Sequence, residues 1–183
     1  MRKVIYAMNM SIDGCVDYTK LSPPDEEVSE YFNNLMQGAG LIVYGRKTYE
    51  IMFPYWADKA NWNTELDTQF GQWLTALDKI VFSRTLESAD YNTSVVSTDP
   101  VEELRKLKQK PGGDIFLSTV SMVPLFAQAG LIDEYRFVVQ PALVGRGARM
   151  VESGSLAEKL NLELVAAKIF KAGSIALHYK TWV

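Results

Sequence analysis

Two short apolar runs, each backed by turn residues, constrain this chain most. Val4-Ile5-Tyr6-Ala7-Met8 and Leu41-Ile42-Val43-Tyr44 carry no charged or strongly polar side chain. A strand with one wet face alternates. A strand that is apolar throughout is buried on both faces, the habit of central strands in parallel sheets covered by helices. Helical crossovers are therefore required, and the sequence supplies them. From Asp25 to Met36, Val28, Tyr31, Phe32 and Leu35 fall at helical spacing. Asp25, Glu26 and Glu27 crowd the first turn, where the helix dipole favours acids, and Gly38 and Gly40 follow the end. Asp99 caps a second helix, Pro100 to Gln109, with proline at its first position.

The remaining punctuation predicts strands at Lys79–Ser83, Ser94–Ser97 and Asp114–Leu117, and helices at Phe70–Leu77 and Ser121–Ala129. A short helix runs from the Gly45-Arg46-Lys47-Thr48 turn through about Met52, and 54–66 reads as aromatic and irregular. The tail changes character. Tyr135–Val139, Leu162–Phe170 and Ile175–Trp182 all read as strands, the last two joined at Ala172-Gly173-Ser174. Strand–helix alternation giving way to a meander predicts an α/β fold: a mainly parallel central sheet with an antiparallel C-terminal hairpin and helices on both faces.

With 183 residues, one domain spanning 1–183 is expected. A net charge of -3 speaks against a nucleic-acid partner, and the single cysteine, Cys15, rules out an internal disulfide. The apolar run after Arg2 and Lys3 is too short for a signal peptide, and no stretch is long enough to span a membrane. A cytoplasmic protein is expected. There is no His/Cys cluster for zinc.

Three turns carry chemistry. Gly45-Arg46-Lys47-Thr48 follows a strand and opens a helix, so free N–H groups, a hydroxyl and a positive dipole end can meet a phosphate. The alternative reading is a tight strand-to-helix turn with exposed basic side chains. Ser83-Arg84-Thr85 ends the next strand and suits a phosphate monoester, or is a solvated loop. Asp13, in Ser11-Ile12-Asp13-Gly14, either accepts hydrogen bonds from a polar substrate or begins a turn. Trp56, Trp62 and Trp73 either wall a pocket for a flat ring or simply pack.

The ordered set S-I-D-G, acidic helix, G-R-K-T-Y-E, S-R-T-L, L-I-D-E-Y and P-A-L-V-G-R-G resembles the dihydrofolate reductase-like superfamily. Within it, the chain is most similar to the C-terminal reductase domain of the bifunctional riboflavin-biosynthesis deaminase/reductase and its stand-alone relatives. The resemblance covers Arg2 to about Lys180. It implies a three-layer reductase fold and NADPH as cofactor. Gly45, Arg46 and Thr48 are then expected at the cofactor phosphates, and Ser83, Arg84 and Thr85 near the adenosine 2′-phosphate. Asp13 falls beside the substrate and nicotinamide, orienting the substrate or supplying a proton, with Pro141, Gly145 and Gly147 on the rim.

Two departures stand out. Where the family usually carries a glycine pair under the pyrophosphate, this chain has Ser118-Thr119, whose side chains either obstruct the cofactor or offer hydroxyls. Where dihydrofolate reductase has a carboxylate on its first helix, Glu27 or Val28 falls nearest. The expected activity is hydride transfer from NADPH to a small heterocyclic or ribosyl substrate, with a homodimer paired through the C-terminal strands. The alternatives are a dihydrofolate reductase-like enzyme of other substrate, or a nucleotide-binding sensor or scaffold without catalysis.

Overall fold

The computed structural model describes residues 1–152 and 154–182. Its strands are β1 (Val4–Ser11), β2 (Ala39–Gly45), β3 (Lys79–Phe82), β4 (Thr93–Val96), β5 (Asp114–Ser118), β6 (Glu134–Gln140), β7 (Leu162–Ile169) and β8 (Ile175–Thr181). Its α-helices are α1 (Glu26–Met36), α2 (Arg46–Ala57), α3 (Glu65–Ala76), α4 (Pro100–Gln109) and α5 (Val123–Gln128). All eight strands form one sheet in the order β4-β3-β2-β5-β1-β6-β8-β7. The first six in that order are mutually parallel; β8 runs antiparallel to β6, and β7 antiparallel to β8.

The continuous apolar runs are explained by what covers each face. Val4, Tyr6, Leu41 and Val43 turn to the face packed by Leu104 and Leu107 of α4 and Val123 and Phe126 of α5. Their neighbours Ile5, Ile42 and Tyr44 turn to the opposite face, under Tyr49 and Phe53 of α2 and Leu74 of α3. Further along that second face, Val28 of α1 is buried against Val138, Phe170 and Ala176. Three layers result, helices–sheet–helices, as double-sided burial demands.

Two expectations needed correction. The helix opened at Gly45 does not stop near Met52 but runs on through Pro54 to Ala57. Proline there removes one helical N–H donor and crowds the carbonyl of Glu50, a cost the helix carries. The buried pair Tyr49 and Phe53, stacked at 5.1 Å between ring centroids, holds the helix to the sheet across it. The segment 54–66 is consequently less irregular than its composition suggests: a 3-10 turn at Lys59–Asn61 leads to α3, which starts five residues before Phe70 behind a capping box of Thr64 and Asp67. The tryptophans there pack rather than wall a pocket. Trp62 lies where a side chain of Gly71 would be, 2.2 Å from an added Cβ, and its indole N–H donates to Trp56 O at 3.0 Å. Trp56 and Trp73 flank Phe70, at 4.6 and 5.8 Å between centroids. No helix among the described residues is long and apolar enough to cross a membrane.

Candidate functional site

Parallel strands end together. Ser83 follows β3, Gly45 ends β2, Ser118 ends β5, Ser11 ends β1 and Gln140 ends β6, so these residues line one edge of five neighbouring strands. At about 4.8 Å per strand, the row is about 19 Å long. β2 leads through α2 and α3 on one face to β3, whereas β5 leads through α5 on the other face to β6. Where connections from adjacent strands part in this way, a crevice opens at the carboxyl ends. Gly45 and Thr119 stand at it.

At this crevice Gly45 has ordinary extended backbone, φ -81° and ψ 145°, so conformation does not require glycine. Space does. An added Cβ would lie 2.6 Å from Thr119 Oγ1 and 3.3 Å from Thr119 Cβ. Thr119 is fully buried, and its Oγ1 accepts from Met122 N at 3.4 Å. Ser118 stands opposite Tyr44 of β2 in the sheet register. Thr119 thus fills the space beside Gly45, while Ser118 stays half-buried at the end of β5.

Gly45 is the N-cap of α2 without any side-chain cap, and the first turn carries no acid. Its orphan N–H groups and positive dipole end are left for an anion. Thr48 is half-buried, and Arg46 shares its charge with Glu50 at 2.8 Å. In the next turn Ser83 Oγ accepts from Thr85 N at 3.1 Å and Leu86 N at 2.9 Å. Ser83 and Thr85 thus shape the turn, and Arg84 stands exposed at its tip with no ion pair among the described residues.

Asp13 occupies the other end of the row. Its carboxylate accepts from Ser11 Oγ at 2.7 Å, Val144 N at 3.0 Å and Gly145 N at 2.7 Å, and Arg149 lies 3.5 Å away. These bonds, led by the Ser11 hydroxyl, hold the carboxyl well below the usual range. An anion so placed cannot supply a proton near neutral pH. Its work is to bind two loops together. The same seam includes Ile12 N to Ala142 O at 2.9 Å and Val16 N to Ala148 O at 2.8 Å. Gly145 and Gly147 adopt φ of +73° and +100°, and a Cβ on Gly147 would meet Cys15 Sγ at 2.9 Å. Pro141 packs against Gly173 of the β7–β8 turn. The rim residues therefore act through the seam.

Glu27 is held by the β7–β8 turn, which Pro141 also approaches. Its carboxylate accepts from Lys171 N at 2.8 Å in the β7–β8 turn, which lowers its pKa, while Val28 is fully buried. Neither side chain offers a free carboxylate to a substrate. A cavity of about 410 Å³ opens at the opposite, amino end of the strands, beside Arg2, Asp78, Asn92 and Ser94. No sequence-predicted site residue lines it.

Comparison with known proteins agrees with this layout. YyaP of Bacillus subtilis (strain 168), described as uncharacterized, is 27% identical over 187 residues, covering 97% of this chain and 94% of YyaP. A Shewanella sp. PV-4 protein provisionally assigned to riboflavin biosynthesis superposes with a TM-score of 0.77 at 18% identity, over 99% of both chains. Dihydrofolate reductase from Enterococcus faecalis, solved with NADP(H), superposes with a TM-score of 0.63 at 14% identity, over 98% of this chain and 96% of that one. At such identities the two structures establish the shared fold. The family model of the RibD C-terminal domain matches residues 2–175, and the chain therefore belongs to the RibD C-terminal domain family.

Proposed function

We propose that this protein is an NADPH-dependent reductase of a small heterocyclic substrate, most like the 5-amino-6-(5-phosphoribosylamino)uracil reductase of riboflavin biosynthesis. One observation carries the reading: the uncapped start of α2 and the exposed Arg84 lie on neighbouring strands of one carboxyl edge. Gly45 keeps the backbone there bare. These residues fit a dinucleotide, with the pyrophosphate on the first-turn amides and Thr48 hydroxyl of α2, and a 2′-phosphate on the forked guanidinium of Arg84. When bound, the nicotinamide supplies the hydride. The protein's share is to orient: α2 holds the phosphates, and the Asp13 seam fixes the loops beside β1 and β6.

Titration calorimetry tests this. NADPH is expected to bind more tightly than NADH. Arg84→Ala should weaken NADPH about tenfold or more, the value of one charge-assisted contact, and leave NADH nearly unchanged. Equal affinity for the two cofactors, unaffected by the substitution, would refute the placement.

A second reading has one observation in its favour. The Asp13 carboxylate is engaged by Ser11, Val144 and Gly145 and so is not free to hand a proton to a substrate. This favours a nucleotide-binding sensor or scaffold, for which NADPH would bind without being oxidised in the presence of the pyrimidine riboside or dihydrofolate. We further propose a homodimer. Leu164, Ile169 and Ile175 are 54%, 76% and 37% exposed on β7 and β8, an apolar surface that a second copy would cover. Ile169→Glu should halve the mass seen by sedimentation velocity.

A further inference from the structure

On the α1–α2 face of the sheet, near the carboxyl edge, the side chains of Ser11 and Gln140 both find partners. Ser11 Oγ donates to Asp13 and accepts from Cys15 N at 3.0 Å. Gln140 accepts from Ser22 N at 3.1 Å and donates to Ser22 O at 2.8 Å. Asn9 differs. It lies on β1 opposite Val138 of β6, two residues from Ala7 and two from Ser11, on the face that also carries Ile5. Its Oδ1 is buried and meets no donor, although the residue as a whole is half-buried.

An asparagine amide inside a strand is unfavourable on two counts. It packs poorly on a pleated surface, and a buried amide group left unpaired carries a desolvation penalty. The other unpaired buried atoms have different settings. Tyr6 and Tyr135 belong to the face covered by α4 and α5, and His178 Nε2 lies 3.1 Å from Glu134 Oε2. Among these atoms of the described residues, Asn9 Oδ1 is the one on the α1–α2 face near the carboxyl edge, on β1 beyond its pairing with β5.

We infer that Asn9 is a specificity-determining residue that reads an amide edge of the ligand, an N–H beside a C=O. This rests on the reading of the carboxyl edge as a cofactor and substrate site. The asparagine amide presents one acceptor and two donors in a plane, and turning it about Cβ–Cγ exchanges which end is buried. A ligand carrying a donor next to an acceptor satisfies both ends at once; a purely apolar ring satisfies neither. A pyrimidinone carries that edge. So does the carboxamide of nicotinamide, and the experiment separates the two.

The side-chain NH2 pair of Asn9 is identified in a ¹H–¹⁵N spectrum by its loss in Asn9→Leu. The labelled protein is then titrated with NADPH, and next with 5-amino-6-(5-phosphoribosylamino)uracil and with dihydrofolate, each on NADP-loaded protein. The expected result is a shift of the pair with a pyrimidinone-bearing ligand. Asn9→Leu should weaken that ligand about tenfold or more and leave NADPH within about twofold, with Tm unchanged or raised. A shift with NADPH alone, and weaker NADPH binding in the variant, supports the same recognition with the carboxamide as partner. If NADPH binds but none of the three moves the pair, the role of Asn9 is overturned and the cofactor reading stands. If NADPH does not bind at all, that reading falls and the inference with it. Should Asn9→Leu fail to fold, Asn9→Asp keeps the shape, removes the donor and serves the same comparison.

Discussion

Gly45→Ala is the sharpest test of how the crevice is built. The backbone at Gly45 lies in the extended region, which alanine adopts freely. The whole penalty therefore comes from packing: the new methyl would sit 2.6 Å from Thr119 Oγ1, 3.3 Å from Thr119 Cβ and 3.4 Å from Met122 Cε. Overpacking of this kind costs about 1–3 kcal/mol. Losing glycine at an N-cap adds on the order of 0.5 kcal/mol, and stiffening the unfolded chain returns about as much. The net expectation is a loss of about 1–3 kcal/mol, measured by urea unfolding with linear extrapolation. Thr119→Ala removes the atom met at 2.6 Å. In the double variant part of the Gly45→Ala penalty should vanish, giving a coupling of about 1 kcal/mol or more. Additivity within about 0.3 kcal/mol would show that Gly45 is glycine for some reason other than Thr119.

Other outcomes follow from charged groups. Lys79 Nζ donates to the carbonyls of Leu74 at 2.9 Å and Leu77 at the end of α3, and burial pushes its pKa down to about 8 from 10.5. Between those values the unfolded chain holds more protons, so stability should rise with pH there, and Lys79→Met should flatten the rise in urea midpoints. The scan should stop near pH 10, above which the buried phenols of Tyr6 and Tyr44, pushed up by burial, begin to favour unfolding. For Asp13 the sign is opposite in origin. Its folded pKa is depressed, so its contribution is present above the ordinary carboxylate range and lost as pH falls through the folded value. Asp13→Asn should speed amide exchange at Val144 and Gly145 at neutral pH. Unchanged exchange would mean that the seam does not depend on this carboxylate.

Much of the architecture could be read before the structure was known, because double-sided burial writes itself as uninterrupted apolar runs at Val4–Met8 and Leu41–Tyr44. The extent of α2 could not. Pro54 is a local stop signal, overridden by the burial of Tyr49 and Phe53 against Ile42, Tyr44 and Val81 of the sheet. The capping signal Thr64-x-x-Asp67 was present, but Trp62 and Gly71 obscured it, since their contact depends on two elements already being folded. At the candidate site, the turns at Gly45 and Ser83 were legible because each follows a strand. The engagement of Asp13 was not, since its partner Val144 lies 131 positions away. Asn9 was missed because the apolar reading of the first strand ended at Met8, three residues before the strand does.

The seam between the two loops has a consequence for how this scaffold varies. Asp13 and Arg149, Val16 and Ala148, Ile12 and Ala142 are matched across it, and the main chains of Cys15 and Arg149 form a bridge. The β1–α1 loop and the stretch after β6 thus form one unit of inheritance, although far apart in sequence. Transplanting the first from a relative without the second would leave a carboxylate facing amides that no longer match it. Loop exchange on this fold should succeed in pairs.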